Sequence, residues 1–419
     1  MRFNTLWLLA FSLLPSLCVA RALVRPEIGP KVEARARAGS RVVLPFKSRS
    51  MAWVQTFATY DGKELNFTDF VVGKASQIIL AAWHINEGGI IHLNDAPPND
   101  TRYDYVWPQI KELQEQNIKV SILLGGAARG SYWALAKDFE KYYQQLREII
   151  QRYSFDGIDL DVEEVVDINV ILRLLRRLNF DFGPKFILTM APVASDMFPK
   201  EYAVGLSGFS YHDLDSMAFA WNKPGGKLID WFNVQFYNGW GVANEEWYNY
   251  ICQVGGWDSK RICMGVLNNP RNGGSGWIPL SQLVQTIKNL QVTYGGNMGG
   301  GIGWEYFNAG RDPGDGPIEP REWVGAISDA LYGVDNVPAT VDTLRVDPNP
   351  ASLPPPQSPW QNLVAALLGT GATPLEANRA LNITGGDLGQ ALPVVQELKS
   401  VSGELVGSVL KLVESIGHL

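Results

Sequence analysis

The chain has 419 residues, 46% hydrophobic and 19% charged, and carries a net charge of −7 at pH 7. That length admits one large domain and a small one, and the composition excludes an intrinsically disordered chain. The acidic balance, with no basic stretch interleaved with aromatics, argues against nucleic acid as a partner.

Residues 1–20 open with Arg2 and continue through the apolar run Leu6 to Leu17, interrupted only by Ser12, Pro15 and Ser16. Small residues follow at Cys18, Ala20 and Ala22. This is the pattern of a secretory signal peptide cleaved after Ala20 or Ala22, and the run is short for a membrane span. No later segment is long and apolar enough to cross a bilayer, so the expectation is a soluble, secreted protein with no membrane partner. Residues 21–50 form a basic, irregular extension (Arg21, Arg25, Lys31, Arg35, Arg37, Arg41, Lys47, Arg49).

From residue 51 strand-like and helix-like segments alternate. Apolar, β-branched runs occur at 52–58, 77–83, 118–124, 155–162, 185–191, 231–237, 261–267 and 298–305. Between them Phe139, Tyr142, Tyr143, Leu146, Ile149, Ile150 and Tyr153 repeat at helical spacing. So do Ile171, Leu174, Leu175 and Leu178, and again Leu280, Leu283, Val284 and Ile287. Eight strands alternating with helices over residues 51–334 predict an α/β fold, a parallel (β/α)8 TIM barrel. An open doubly wound sheet is the competing architecture. It would want a glycine-rich phosphate turn after the first strand, and Tyr60-Asp61-Gly62-Lys63 is not one.

The C-terminal ends of barrel strands carry chemistry. Here they read Trp83-His84-Ile85-Asn86, Gly125-Gly126, Met190-Ala191-Pro192, Gln235-Phe236-Tyr237-Asn238 and Gly303-Trp304-Glu305-Tyr306. The fourth strand ends in Asp156-Gly157-Ile158-Asp159-Leu160-Asp161-Val162-Glu163-Glu164. Strand side chains alternate faces, so Asp159, Asp161 and Glu163 share one face, each roughly 6.6 Å further along. Like charges that close cannot all ionise freely, and at least one carboxyl holds its proton near neutral pH. A protonated acid beside an ionised one is the pairing that cleaves an acetal. A divalent-cation site and a solvated acidic face are the other readings of such a run. Glu164, of opposite parity, is expected to face the helices, and His84 to be a structural hydrogen-bonding residue.

Cys18 leaves with the signal; Cys252 and Cys263 either pair in an oxidising compartment or remain two buried thiols. There is no C-x-x-C, and the four histidines show no zinc spacing, so neither a metal nor any other cofactor is expected. The sequons Asn66-Phe67-Thr68, Asn99-Asp100-Thr101 and Asn382-Ile383-Thr384 are glycosylation candidates. A proline-rich linker covers 335–359, and 360–419 returns to short helical stripes.

The run Asp156 to Glu163 resembles the D-G-x-D-x-D-x-E signature of glycoside hydrolase family 18. Leu124-Gly125-Gly126, Met190-Ala191-Pro192, Gln235-Phe236-Tyr237-Asn238 and Gly303-Trp304-Glu305 resemble other strand-end elements of that family, over 51–334. His84 to Gly89, Leu206 to Tyr211 and Trp304 to Asn308 are similar to its fungal endo-β-N-acetylglucosaminidase branch. The resemblance implies a monomeric hydrolase of N-linked glycans, cutting between the two core N-acetylglucosamines. A chitinase acting on chitin-type oligosaccharides and a non-catalytic carbohydrate-binding barrel are the alternatives.

It also implies roles. Glu163 is the general acid and then base. Asp161 orients the substrate acetamide, Asp159 shares a proton with Asp161, and Tyr237 donates to the acetamido oxygen. Gln235, Asn238, Gly126 and Trp304 line the sugar site, with Trp304 as its floor. Residues 360–419 resemble a ubiquitin-associated three-helix fold through Glu376-Ala377-Asn378-Arg379-Ala380-Leu381.

Overall fold

The computed structural model of the protein describes residues 47–59, 61–86, 89–311 and 318–333, and part of 366–396. Its strands are β1 (Arg49–Val54), β2 (Gln77–Ile85), β3 (Ile91–Leu93), β4 (Lys119–Gly125), β5 (Gly157–Asp161), β6 (Ile187–Met190), β7 (Trp231–Gln235), β8 (Ile262–Leu267) and β9 (Gly300–Trp304). All except β3 pair in parallel, and β1 pairs with both β2 and β9. The sheet therefore closes into an eight-stranded barrel, and β3 folds back antiparallel on the end of β2. The α-helices are α1 (Thr68–Val72), α2 (Val106–Glu115), α3 (Ser131–Lys137), α4 (Phe139–Tyr153), α5 (Ile168–Phe182), α6 (Tyr211–Met217), α7 (Glu245–Asn249), α8 (Leu280–Thr293) and α9 (Pro320–Tyr332). This is the (β/α)8 barrel.

Strand parity divides two apolar layers. Met51, Trp53, Ile79, Ala81, Leu123, Cys263 and Ile302 fill the barrel interior. Their neighbours Ala52, Val54, Ile78, Leu80, Ile122 and Leu124 face the helices. Ile158 and Leu160 belong to that outer layer, so Asp159 and Asp161 point inward.

Each predicted stripe forms its helix. In α4, Tyr143, Leu146 and Ile150 are buried, and the Asp138 side chain caps the first turn by accepting from Lys141 N. In α5, Ile171, Leu174, Leu175 and Leu178 are buried, and Asp167 caps by accepting from Asn169 N.

Two readings change. The first strand starts at Arg49, inside the stretch read as a basic extension. The reason is local: the Arg49 guanidinium lies 4.0 Å over the Trp231 ring and donates to the carbonyls of Lys260 and Gly299, so it plugs the base of the barrel. The possible disulfide is absent. Cys252 packs among the outer helices and Cys263 faces the barrel interior, on opposite sides of the β8 wall, and both thiols are free.

Asn66 and Asn99 are exposed; Asn382, the linker and residues 1–46 lie outside the described residues. Leu367, Ala372, Ala377, Ala380, Leu381, Ala391 and Val395 form a separate small apolar cluster. Among the described residues no helix is long and apolar enough to cross a membrane.

Leu146, fully buried at the centre of the α4 stripe, tests the packing. Leu146→Ala should lower unfolding stability by about 2–5 kcal/mol. Gln151→Ala, exposed on the same helix, should stay within about 0.5 kcal/mol. Urea denaturation followed by far-UV circular dichroism would measure both.

Candidate active site

A cleft of about 580 Å³ opens at the C-terminal end of the barrel. Asp161, Glu163, Gln235, Tyr237, Asn238, Gly126 and Trp304 all line it. Trp53, Gln55, His84, Arg129 and Asn272 line it as well. Asp159 lies beneath, fully buried.

Two donors converge on Asp159. Trp53 Nε1 donates at 3.1 Å and Thr189 Oγ1 at 2.7 Å, and the nearby Asn233 side chain also favours the ionised form. Thr189 is there by register, since it is the β6 partner of Asp159 in β5. Burial outweighs these bonds and raises the Asp159 carboxyl to about 6.

Asp161 is more strongly affected. Burial pushes its pKa well above the usual carboxylate range, and the charges of Glu163 and then Asp159 push further. Burial also raises Glu163, against the opposing effects of a hydrogen bond from Gln235 and the nearby Arg129. The two carboxyls influence each other's titration, and burial favours the protonated form of each. Glu163 lies two residues beyond the last residue of β5 and is part-exposed at the cleft, whereas Asp161 is 7% exposed. The outer member of the pair is thus the one that can reach a ligand atom.

Gln235 braces this pair: its Nε2 donates to Asp161 Oδ1 at 3.0 Å and to the Ala191 carbonyl at 2.8 Å. Its amide nitrogen serves the acids, a role beyond the sugar contact expected for it. Tyr237 keeps its phenol protonated, because burial and then the charges of Asp161 and Glu163 raise its pKa. It is therefore a hydroxyl donor. Asn238 holds a left-handed backbone (φ 55°), and its Oδ1 accepts from Gly274 N at 2.8 Å, which fixes the loop after β8. Trp304 meets Trp53 edge to face, with ring centroids 5.9 Å apart, and the two indoles form the apolar floor.

Gly125 and Gly126 have φ of 99° and 97°. A Cβ on Gly125 would lie 2.3 Å from the Asp161 carbonyl oxygen, and one on Gly126 3.4 Å from Asp161 Oδ2. The glycines let the chain pass directly over the acid, and Gly126 N donates to the Asp161 carbonyl at 3.0 Å.

A second lobe of about 940 Å³ adjoins the cleft and shares Gln55, His84 and Ala128 with it. Asn86, His92, Asn94, Asp95, Arg102 and Tyr105 are among its other lining residues, with Phe57. His84 thus departs from its expected structural role. It stands where the lobes meet, and its buried Nδ1 has no hydrogen-bond partner among the described residues. Glu164 is buried, as parity requires, and accepts backbone N–H groups at the start of α3.

Sequence reasoning missed Trp53, Thr189, Asn233 and Arg129. The first three follow from parity once the barrel is closed. Asn233, Gln235 and Tyr237 already show a polar period of two. Arg129, on an irregular loop, left no signal. Among the described residues no His, Cys, Asp and Glu side chains gather as a metal site.

The family model of glycosyl hydrolases family 18 matches residues 49–266. A fungal endo-β-N-acetylglucosaminidase of glycosyl hydrolase family 18 superposes with a TM-score of 0.61 at 36% identity, over 69% of this chain and 99% of that one. A chitinase of Aspergillus fumigatus superposes with a TM-score of 0.58 at 37% identity, over 68% of this chain and all of that one. A family 18 chitinase of Pseudoalteromonas aurantia, 20% identical with a TM-score of 0.55 over 68% of this chain and all of that one, shares the fold. No curated protein matches.

The Asp159 carboxyl gives a signed prediction. Its pKa is near 4 unfolded and about 6 folded. Between those values the native state holds a proton that the unfolded chain has lost, so stability falls as pH rises from 4 through 6. The shift corresponds to roughly 3 kcal/mol. Asp159→Asn should flatten that fall, with its amide turned toward Thr189, whose hydroxyl can also accept. Urea unfolding at pH 4, 5, 6 and 7 would show the wild type losing stability relative to the variant between pH 4 and 6, with the difference constant above. Parallel curves would refute the assignment.

Proposed function

The chain belongs to glycosyl hydrolase family 18, a glycoside hydrolase, and within it we propose that the protein is a secreted endo-β-N-acetylglucosaminidase cleaving the β-1,4 bond between the two core N-acetylglucosamines of N-linked glycans. The observation that carries the chemistry is the placing of buried Asp161 and part-exposed Glu163 side by side in the cleft lining at the mouth of the barrel, where burial raises both carboxyls. The observation that favours a branched glycan is the polar second lobe sharing a wall with the cleft. A linear polymer needs one groove, whereas a branch needs room beside it.

In the proposed reaction Glu163 gives its proton to the glycosidic oxygen as the C1–O bond breaks. The acetamido oxygen of the same sugar attacks C1 and forms an oxazolinium ion. Asp161 accepts the acetamide N–H and, ionised, balances the developing charge. Tyr237, kept protonated, donates to the acetamido oxygen and aligns it. The charge of Asp159 below raises Asp161 further. Water then adds to C1 from the face the leaving group vacated, Glu163 takes its proton, and the configuration is retained. The paired indoles of Trp53 and Trp304 give the sugar an apolar floor. A chitinase with the same mechanism is the second reading, favoured by the equal likeness to a chitinase.

The deciding assay incubates the purified protein with a high-mannose glycoprotein and, separately, with chitin oligomers, each followed by mass spectrometry. The expected product is asparagine bearing a single N-acetylglucosamine; cleavage of chitin oligomers alone would make the protein a chitinase. Glu163→Gln should lower kcat at least about 100-fold, as loss of a general acid does. Asp95→Ala, in the second lobe only, should raise KM for the branched substrate about 2–10-fold, the worth of one hydrogen bond. An unchanged KM would remove the lobe from substrate binding.

A further inference from the structure

Two glutamates stand immediately after cleft residues and turn away from the cleft. Glu164 follows Glu163 and is 3% exposed; Glu305 follows Trp304 and is 7% exposed. Each takes two backbone N–H groups from the loop that leaves the adjoining strand. Glu164 Oε2 accepts from Gly130 N and Oε1 from Tyr132 N, both at 2.6 Å, at the end of the loop after β4. Glu305 Oε2 accepts from Gln55 N at 2.9 Å and Thr56 N at 2.7 Å, and Oε1 from Thr56 Oγ1 at 2.9 Å, in the loop after β1. The strands concerned are neighbours: β4 beside β5, and β1 beside β9.

Both loops are cleft walls. Gly126, Ala127, Ala128 and Arg129 line the catalytic cleft, and Gln55 lines both lobes. The first wall has little rigidity of its own. Gly125, Gly126 and Gly130 all sit at positive φ, and the residues between them carry no regular structure. Its far end is tied down by Glu164. The Trp133 indole, which donates to the Val165 carbonyl at 2.8 Å, fastens the same two segments. A carboxylate taken out of water is expensive unless its oxygens are filled, and a charge-assisted pair of backbone N–H bonds does that while fixing direction. The arrangement occurs twice around one cleft, each time one peptide from a residue assigned to the substrate.

We propose that Glu164 and Glu305 are positioning residues: Glu164 sets the general acid Glu163 against the 126–129 wall, and Glu305 sets the Trp304 floor against the Gln55–Thr56 wall between the two lobes. The proposal rests on the assignment of Glu163 as acid.

The test uses the full chain carrying Glu164→Gln, Glu164→Ala, Glu305→Gln or Glu305→Ala, assayed on the substrate the wild type cleaves, well below each variant's Tm. Misplacing a reacting group by about 1 Å slows a reaction up to about 100-fold. Glu164→Gln should therefore lower kcat about 10- to 100-fold with KM within about twofold of wild type. Its alkaline pH–rate limb should move, since that limb reports the proton Glu163 must hold. Glu305→Gln should do the reverse, raising KM several-fold with kcat nearly kept. The alanine variants should exaggerate each pattern; where one does not fold, the isosteric glutamine variant decides. Folded glutamine variants with wild-type kcat, KM and pH limb, whatever their Tm, would reduce both residues to ordinary caps and overturn the proposal. So would the same mixed loss from both. Glu163→Gln run alongside separates the premise from the proposal: activity retained there refutes the acid, while the Glu305 result is read from KM independently of it.

Discussion

Two carboxyls of one strand face the inside of a closed barrel and a third stands at its mouth just beyond that strand, and most of the site's architecture answers the electrostatics of that placement. A carboxylate moved from water into a packed interior is disfavoured by many kcal/mol unless it is neutralised or given donors. Asp159 receives donors from two different strands: Trp53 in β1 and Thr189 in β6. Asp161 receives the Gln235 amide and lies beside Glu163, whose charge raises it. The depth order is the functional order. The deepest acid is the most heavily hydrogen-bonded, the middle one holds its proton most firmly, and the outermost reaches solvent.

This explains residues that would otherwise look unrelated. Trp53 is a core residue by burial, yet its indole nitrogen serves the deepest acid while its ring meets Trp304 on the cleft floor. Gly125 carries no side chain because the Asp161 backbone passes where a Cβ would be. Register transmits the requirement around the sheet: Leu123 and Gly125 of β4 pair with Asp159 and Asp161, and Thr189 of β6 pairs with Asp159 from the other side. A slip of one residue in β5 would turn all three acids toward the helices and bring Ile158 and Leu160 into the barrel.

That same parity made the site legible in the sequence. The alternation Ile158, Asp159, Leu160, Asp161 contains both the inward face and the outward one, and the helical stripes at 139–153 and 171–178 contain their own burial. What the sequence could not display is whatever depends on closure. Thr189 is an unremarkable residue of an apolar run until β6 is laid beside β5. Trp53 cannot be told from a packing tryptophan until β1 meets β9. Loops are harder still, because no periodicity constrains them. The lobe built from Phe57, Asn86, His92, Asp95 and Arg102 draws on three separate connections. Arg49 shows the opposite failure, since a basic composition concealed a strand whose arginine lies over a buried indole.

The chemistry of the junction between the lobes bears on what they hold. Burial lowers the pKa of His84, so near neutral pH its ring is uncharged, with one nitrogen donating and the other accepting. Its Nδ1 is buried without a hydrogen-bond partner among the described residues. A ligand hydroxyl can hydrogen-bond to it, whereas a ligand anion would gain nothing from a neutral ring. The lobe beyond mixes signs, with Glu64, Asp95 and Arg102 among amides and the aromatics Phe57, Tyr103 and Tyr105, and so presents no single charge to an ionic partner. A hydroxyl-rich, uncharged ligand is the kind that these features suit, as the substrates of a glycoside hydrolase are.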